Sequence, residues 1–314
     1  MRPVVRLVRR PSFPWAAPTW PDGVELAPLE RSVGVDYDTA WSRRYGVRVA
    51  RAALLDWVAR PVVRALASPR VDGLDRIEHL DGPAIFAANH ASHVDLPLVL
   101  SILPPRFRHR TLVGAGADYF FDTRWKGALW SFAIAAIPIE RQRVNRRSAE
   151  EAGHLLSQGW SMVIFPEGGR TPDGWARPFH PGSAAYLATR SGLPVVPIYL
   201  GGTRRILARG SRTLRPGSTR VCVGRPLWPH EHENARRLST SLEAAVAALA
   251  DETATDWWSA RRRSAAGRTP GLGGPPVGAW RRSWALGDDR PERHRRGSNG
   301  KGSRDRWPLA HRGR

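Results

Sequence analysis

The chain has 314 residues, one cysteine and a formal net charge of +21, carried almost wholly by arginine because Lys126 and Lys301 are its only lysines. The length suits one large domain or two small ones, and the single cysteine, Cys222, excludes an internal disulfide framework and suits a reducing compartment. The charge indicates an anionic partner, namely nucleic acid, a membrane surface or a phosphorylated substrate, without choosing among them.

No secretory or membrane-spanning segment is predicted. The N-terminus is basic, but its first apolar run, residues 4–8, is interrupted by Arg6. The longest uncharged apolar stretch, residues 127–139, has 13 residues, too few to cross a bilayer. We therefore expect a cytoplasmic protein that is soluble or lies on the inner face of the cell membrane.

The N-terminal region divides into an arm and a helix. Residues 1–36 are rich in proline, arginine and tryptophan without a clear period, and we interpret them as an arm. Residues 37–67 have the spacing of an amphipathic helix, which Pro61 is expected to break or kink. A helix that bears tryptophan and is flanked by arginine suits a membrane interface. Packing on the domain with a solvated basic face fits the same pattern equally well.

From residue 71 onward, apolar runs of strand length alternate with helical patterns. This alternation predicts an α/β fold, a mostly parallel sheet covered by helices, within one domain over residues 37–258. The predicted strands are 71–77, 84–88, 111–113, 136–139, 161–165, 195–200 and 219–223, and the predicted helices are 96–103, 125–132, 146–157, 183–191 and 233–253.

The composition changes near the C-terminus. Residues 261–314 hold 15 Arg or Lys against 4 Asp or Glu, and only four Leu, Ile, Val or Phe. Because so little apolar surface cannot offset the entropy of ordering, residues 259–314 are predicted to be a disordered arginine-rich tail. Such a tail suits nucleic acid or anionic lipid, and it is equally explained as an unselected extension, the reading we favour.

Residues 83–97 read P-A-I-F-A-A-N-H-A-S-H-V-D-L-P and form the predicted functional centre. The apolar run 84–88 is typical of a fully buried strand, and Asp95 followed by Pro97 is typical of a helix start with Asp95 as N-cap. A buried strand thus leads into a tight turn that carries His90 and Asp95. Ligands bind at the carboxyl ends of strands in parallel α/β sheets, so this turn is a candidate active site.

His90 and Asp95 have the chemistry of a general base and its partner. Imidazole takes a proton from a hydroxyl near neutral pH when a carboxylate fixes its tautomer and stabilises its cation. The turn has no cysteine and Ser92 lies inside it, so we expect a base that activates a substrate hydroxyl rather than a covalent nucleophile. Taken singly, the spacing also fits a helix cap and a turn-stabilising histidine, because such pairs arise often by chance.

Three further stretches place charged residues after predicted strands. They are I-P-I-E-R over 137–141, F-P-E-G-G-R-T over 165–171 and L-P-V-V-P-I over 193–198. Because the carboxyl ends of parallel strands share one edge, we expect Arg141, Glu167 and Arg170 to face the same cleft as the turn at His90. The arginines suit a phosphate, and the glutamate is expected to accept from a substrate hydroxyl or to hold an arginine. Gly168 allows close backbone approach or a positive φ.

These stretches, together with N-H-A-S-H-V-D over 89–95, resemble the four ordered blocks of the glycerolipid acyltransferases, whose members include lysophosphatidic acid acyltransferase. The resemblance covers about residues 71–227, which leaves the arm and the tail outside it. One departure is Gly169, where the family usually has a small hydroxyl residue, so a possible hydrogen bond is lost. Members also usually carry membrane-anchoring helices, and none is predicted here.

The resemblance implies a role for each block. His90 is implied to be the general base and Asp95 its orienting partner, while the block over 195–198 is implied to help form the acyl-donor region. The acceptor phosphate is implied to be bound by residues of the second and third blocks, namely Arg141, Glu167, Gly168 and Arg170.

The implied reaction moves a fatty acyl group from acyl-CoA or acyl carrier protein to a lysophospholipid hydroxyl, without a metal or other cofactor. The acceptor is implied to be of the 1-acylglycerol-3-phosphate type, as in phosphatidic acid and phospholipid biosynthesis, and another lysolipid or a glycolipid is the alternative. The expected partners are the acyl donor, the acceptor and an anionic membrane surface.

Two other classes of protein compete with this interpretation. His90, His93 and Asp95 also suit zinc, which would indicate a metal-dependent hydrolase, although the remaining histidines form no second cluster of ligands. Nucleic-acid binding rests on charge only, because the residues before 261 carry +10 without an aromatic-basic motif. No specific nucleic-acid partner is therefore predicted.

Overall fold

A seven-stranded sheet with the order β1-β7-β6-β2-β5-β3-β4 forms the centre of the part of the chain that the computed structural model describes, residues 34–139, 146–171, 173–211 and 213–274. All neighbouring pairs are parallel except β6 and β7, which are antiparallel. The prediction of a mostly parallel sheet covered by helices is confirmed. The strands are β1 Pro69–Asp72, β2 Ile85–Ala88, β3 Thr111–Gly116, β4 Ala136–Ile139, β5 Ser161–Ile164, β6 Val195–Gly201 and β7 Thr219–Val223.

The helices that cover the sheet include every one predicted, each within a few residues of its expected bounds. Short helices before and after β3 and after β6, and the last helix, were not predicted. In chain order they are α1 Tyr45–Ala53, α2 Arg60–Ala67, α3 Asp95–Ile102, α4 Pro105–Arg108, α5 Ala117–Phe120, α6 Arg124–Ile134, α7 Arg146–Ser157, α8 Ala184–Ser191, α9 Thr203–Leu207, α10 Ala235–Ala254 and α11 Trp257–Ala265. The predicted N-terminal arm lies outside the described residues except for 34–36.

The first strand is shorter than predicted. Residues 71–77 were expected to form one strand, but β1 ends at Asp72 and a 3₁₀ helix, Leu74–Ile77, follows. Gly73 causes the change because its φ of +81° turns the chain, and a β-carbon there would clash with the Val223 carbonyl oxygen. An apolar run by itself does not reveal such a turn.

The N-terminal helix remains helical through Pro61, so of the predicted break or kink the break does not occur. A π-helical segment, Leu54–Ala59, joins α1 to α2. Proline has no N–H to donate to the preceding turn, and the wider π-helical turn ahead of it accommodates the ring. The helix thereby keeps Arg51, Leu55 and Val63 buried on one side. Arg51 fixes this side, because its guanidinium donates to the carbonyl oxygens of Ser131 at 3.0 Å and Ser42 at 2.7 Å.

Two apolar layers lie on opposite faces of the sheet. Alternate residues of β2 enter different layers, since Phe86 and Ala88 pack toward the π-helical segment, α2 and α3, whereas Ile85 and Ala87 pack toward α7, α8 and α10. Every residue of β2 is buried, as expected for a strand with helices on both faces. The central position of β2, between β5 and β6, fixes where its carboxyl end emerges.

The predicted disordered tail does not begin at residue 259. Helix α11 continues to Ala265, capped by Asp256, whose carboxylate accepts from the Ser259 N–H at 2.9 Å. Arg263 forms two hydrogen bonds of 2.7 Å with the Asp251 carboxylate on α10. A cap and a paired ion on a neighbouring helix thus order a segment that has little apolar surface. The remainder of the predicted tail, from residue 275, lies outside the described residues.

Candidate active site

The Asn89 side chain extends the sheet by one residue beyond β2. Its Oδ1 accepts from the Leu200 N–H at 2.7 Å, and its Nδ2 donates to the Leu200 carbonyl at 2.9 Å. The side chain thus replaces a backbone pair between β2 and β6. This contact fixes the point at which the chain leaves the sheet, so His90 begins the turn from a rigid base.

The Asp95 carboxylate is the centre of the turn. It is 0% exposed, and its Oδ2 accepts from His90 Nδ1 at 2.8 Å and from the N–H groups of Ala91 and Ser92 at 2.7 Å each. The prediction that Asp95 is the N-cap of α3 is wrong, because the cap residue is Val94 and Asp95 is the first helical residue. Its side chain folds back onto the turn and organises the backbone there.

His90 is held with one ring nitrogen available for chemistry. A carboxylate only accepts, so the bond to Asp95 places the imidazole proton on Nδ1 and leaves a lone pair on Nε2. The ring stacks on Phe165 with centroids 4.0 Å apart and planes inclined by 17°. The His90 side chain is still 17% exposed, so the site is accessible from solvent. This arrangement has the fixed tautomer and the accepting ring nitrogen that a general base requires.

The backbone of His90 is held from both sides by the loop that follows β5. Its N–H donates to Glu167 Oε1 at 2.8 Å, and its carbonyl accepts from the Thr171 N–H at 3.0 Å. Gly168 forms the bend of this loop with a φ of +71°, close to the His180 ring. The first and third sequence stretches therefore meet directly, as predicted from the shared sheet edge.

Glu167 is positioned to brace the loop and not to contact a ligand. It is 1% exposed, and its second oxygen accepts from the Arg177 N–H at 3.0 Å. Glu167 was expected to bind substrate or to hold an arginine side chain. In the structure its two oxygens instead accept from two backbone N–H groups. Burial raises the pKa of Glu167 to about 7, although the N–H groups of Arg177 and His90 oppose the shift.

Glu167→Gln should change how stability depends on pH. The pKa of a free glutamate lies near 4.5, so the folded state holds the Glu167 proton more tightly than the unfolded state does. The protonated side chain therefore adds to the free energy of unfolding at low pH, and this addition is lost as pH rises through about 7. Glutamine has no such proton and presents an NH₂ group to one of the two N–H donors, at a cost of about 1–3 kcal/mol. We expect wild type to be more stable, by a margin that shrinks between pH 5 and pH 8. Urea unfolding across this range measures the margin, and a constant or growing difference would contradict the assignment.

Arg170 reaches the same turn from the other side. Its Nη1 contacts Nε2 of His93, and its carbonyl accepts from Arg209 Nη1 at 3.0 Å. Arg141, the second arginine predicted to bind a phosphate, lies outside the described residues. The strand that precedes it, β4, is the edge strand of the sheet, three positions from β2.

The fourth stretch supports the site from within the sheet. Val195, Val196 and Ile198 of β6 are completely buried beside β2. The implied part of this block in the acyl-donor region stays a prediction, since these side chains pack in the two apolar layers and are not exposed at the sheet edge. The block positions Leu200, the partner of Asn89.

Two polar contacts of the turn had no clear sequence signal. Ser92 is buried, and its hydroxyl donates to the Leu207 carbonyl at 2.7 Å while accepting from the Val94 N–H at 3.2 Å. This contact ties the turn to α9, a five-residue helix that periodicity does not reveal. The stacking of the Phe165 ring on His90 was not predicted either, because the sequence pattern indicates only that Phe165 ends a strand.

The zinc-site alternative does not fit the donor directions. Asp95 is buried and accepts from His90 and from two backbone N–H groups, and His93 directs Nε2 at the Arg170 guanidinium. Of the three proposed ligands, only His90 thus keeps a nitrogen that could meet a metal ion. Among the residues that the structure describes, no group of three or more histidine, cysteine, aspartate or glutamate side chains is arranged to hold a metal ion.

The C-terminal strap, residues 266–274, returns to the site after α11. The Leu272 carbonyl accepts from the Ala176 N–H at 3.0 Å, and the Leu272 side chain packs on the apolar layer beside α10. The strap therefore holds the loop at Ala176. The amide of the next residue, Arg177, donates to Glu167, and Glu167 in turn bonds to the backbone of His90.

Comparison with known proteins agrees with this geometry. Residues 68–201, which extend from the start of β1 to the end of β6, match the Acyltransferase family model. The fold is similar to that of the 1-acyl-sn-glycerophosphate acyltransferase of Thermotoga maritima, with a TM-score of 0.53, 22% identity, and coverage of 66% of this chain and 82% of that one.

Curated relatives narrow the similarity to one kind of acyltransferase. A chloroplastic 1-acyl-sn-glycerol-3-phosphate acyltransferase of Arabidopsis thaliana is 32% identical over 162 residues, which cover 50% of this chain and 43% of that protein. The human 1-acyl-sn-glycerol-3-phosphate acyltransferase alpha is 29% identical over 151 residues, covering 46% of this chain and 50% of that protein. The chain thus spans about half the length of the curated relatives it matches.

Proposed function

We propose that this protein is an O-acyltransferase that moves a fatty acyl group from acyl-CoA or acyl carrier protein to the hydroxyl of a lysophospholipid of the 1-acylglycerol-3-phosphate type. The observation that carries the proposal is the His90–Asp95 pair, with Nδ1 bound to a buried carboxylate and the Nε2 lone pair at the open edge of the sheet. The match of residues 68–201 to the acyltransferase family supports the same chemistry.

The proposed reaction is a direct transfer. His90 Nε2 takes the proton of the acceptor hydroxyl as the oxygen attacks the thioester carbonyl, and Asp95 stabilises the imidazolium that forms. The C–S bond then breaks, and the departing thiolate takes the proton from Nε2, which restores the neutral base. The products are the acylated phospholipid and the free thiol of the carrier, and no step requires a metal ion or another cofactor.

The acceptor phosphate is proposed to bind beside the turn. Arg170 supplies a permanent cation in the same loop that holds His90, and Gly168 gives that loop its bend with a positive φ. Arg141 is proposed as the second phosphate ligand on the basis of the sequence block that contains it. Glu167 acts in this site only by holding the loop.

An acyl-transfer assay on purified protein, read by mass spectrometry, tests the proposal. Acceptors should include 1-acylglycerol-3-phosphate, its unphosphorylated counterpart, other lysophospholipids and a glycolipid, each with acyl-CoA and with acyl carrier protein. We expect the phosphorylated glycerolipid to be the best acceptor. A preference for the glycolipid or the unphosphorylated lipid would assign the site to a different acceptor, and no transfer to any of them would refute the proposal.

Arg170→Ala should weaken binding of the phosphorylated acceptor by about ten- to a hundredfold, because a charge-assisted hydrogen bond contributes roughly 1.5–3 kcal/mol. The unphosphorylated acceptor never makes this contact and should be unaffected. Wild type and variant are compared with both acceptors by KM, with the acyl-donor KM as an internal control. An equal penalty on both acceptors would show that Arg170 supports the fold or the donor site instead.

Association with an anionic membrane surface is proposed from the outward face of the N-terminal helix. Within the described residues, no helix is both long and apolar enough to span a bilayer. The outward face is nevertheless apolar, which favours the interfacial interpretation over a solvated basic face. It presents side chains that are 50–82% exposed, namely Tyr45, Val49, Trp57, Val58 and Val62, and the neighbouring helix α6 adds Trp125 and Leu129.

Trp57→Glu should reduce binding to vesicles of anionic phosphatidylglycerol by at least about tenfold, because burial of a large aromatic side chain contributes roughly 1.5–3 kcal/mol. The matched control is Trp258→Glu. Trp57 and Trp258 are 82% and 70% exposed, and α11 packs on α10, which covers the opposite face of the sheet. Vesicle sedimentation should show a loss for Trp57→Glu only. Equal losses, or none, would mean that this helix face does not meet the bilayer.

A further inference from the structure

His93 is the second histidine of the turn and takes no part in the proposed proton transfer. The backbone at His93 is held in place, because its N–H and the Ser92 hydroxyl both donate to the Leu207 carbonyl, at 3.4 Å and 2.7 Å. The side chain is exposed at the surface of the site. The imidazole therefore stands on a rigid backbone at the entrance beside His90.

The contact between His93 and Arg170 requires a neutral imidazole. A guanidinium group has five donors and no acceptor, so Nε2 of His93 must accept and its proton must lie on Nδ1. Partial burial lowers the pKa of His93 below its usual value, and the charges of Arg170 and His90 add to that shift while Asp95 opposes it. Both histidines thus carry their proton on Nδ1, but His93 directs its lone pair at an arginine and His90 directs its own at the cleft.

The backbone of Arg170 is fixed independently of this contact. Its carbonyl accepts from Arg209, and the next residue, Thr171, donates to the His90 carbonyl. A long side chain on a fixed backbone still has several rotamers, and ordering it on binding costs about 0.5–1.5 kcal/mol, equivalent to a two- to twelvefold change in affinity. A contact that orders the side chain beforehand removes that cost.

We propose that His93 is a positioning residue, whose imidazole accepts from Arg170 and holds the guanidinium beside the His90 turn, ready for the phosphate of the acceptor. This inference rests on the proposed function, because it concerns the same phosphate-binding arginine. His93 is then a determinant of the preference for phosphorylated acceptors and touches neither the reacting hydroxyl nor the thioester.

The test is a double-mutant cycle between His93→Ala and Arg170→Ala. We measure the dissociation constant of hexanoyl-glycerol-3-phosphate and of hexanoyl-glycerol by calorimetry, together with kcat and KM for both acceptors. His93→Ala should weaken binding of the phosphorylated probe by about three- to tenfold, with kcat within about twofold of wild type and no change for the other probe. In the Arg170→Ala background, the same substitution should have no further effect.

His93→Gln is the matched control, because the glutamine Oε1 lies close to the place of imidazole Nε2 and also accepts from a guanidinium. It should recover most of the loss, whereas a merely structural role for the imidazole ring would not be rescued. Additive effects in the cycle, an equal loss on both probes, or a failure of glutamine to rescue would each overturn the inference. Calorimetry requires no turnover, so the two failures are distinguishable: a failed cycle with transfer intact overturns only this inference, whereas absence of transfer and of probe binding by wild type refutes the proposed function and this inference with it.

Discussion

His90→Ala should lower the turnover of acyl transfer by about 10²–10⁴-fold, the range in which general-base catalysis usually falls. The substitution removes the Nε2 lone pair that takes the hydroxyl proton. It should leave the fold intact, because the contacts that fix this residue in the loop use its backbone N–H and carbonyl, which alanine retains. The measurements are kcat and KM together with a thermal unfolding curve.

The control for this experiment is His93→Ala in the same turn. It should affect chiefly the KM for the phosphorylated acceptor and should leave kcat nearly unchanged. A loss of less than tenfold for His90→Ala would remove His90 from the role of base. A larger loss of kcat for His93→Ala than for His90→Ala would show that the other imidazole is the base.

Asp95→Asn should lower turnover by roughly 10²–10⁴-fold, because a neutral amide no longer stabilises the imidazolium and its NH₂ group favours the wrong tautomer of His90. The buried carboxylate also accepts from the Ala91 and Ser92 N–H groups, so stability should fall by about 1–3 kcal/mol as these bonds lose the charge of their acceptor. Urea unfolding and kcat separate the two effects.

The two effects of Asp95→Asn distinguish its possible roles. Loss of stability with kcat close to wild type would make Asp95 an organiser of the turn only. Loss of kcat with little change in stability would show that Asp95 acts through its bond to His90 and contributes little to the stability of the turn. We expect both losses, since one oxygen serves the imidazole and the backbone at once.

The sequence revealed the sheet and the reactive pair because both depend on local patterns. β2 and β5 are short apolar runs that are buried on both faces, and the strand that precedes His90 could be recognised from composition. The proximity of His90 and Asp95 followed from their five-residue separation within one turn. The position of the third stretch followed from the rule that parallel strands share an edge.

The parts that could not be predicted depend on tertiary contacts with backbone groups. Glu167 looks like a ligand-binding residue in the sequence, yet it bonds to the backbone amides of His90 and Arg177. Asn89 likewise bonds to the backbone of Leu200 on another strand. The order of α11 likewise depends on Arg263 meeting Asp251 of another helix. Residue type and spacing do not show whether the partner of a polar side chain is a ligand or the main chain.

The C-terminal strap has a consequence for the order in which the protein forms during translation. The amide of Ala176 bonds to the carbonyl of Leu272, which the ribosome adds about a hundred residues later. Because synthesis proceeds from the N-terminus, the sheet and the His90 turn are complete while the neighbouring loop still lacks this bond. The nascent chain thus acquires this support for the site only when residues beyond α11 have emerged, well after residues 68–201, from β1 to β6, have been made.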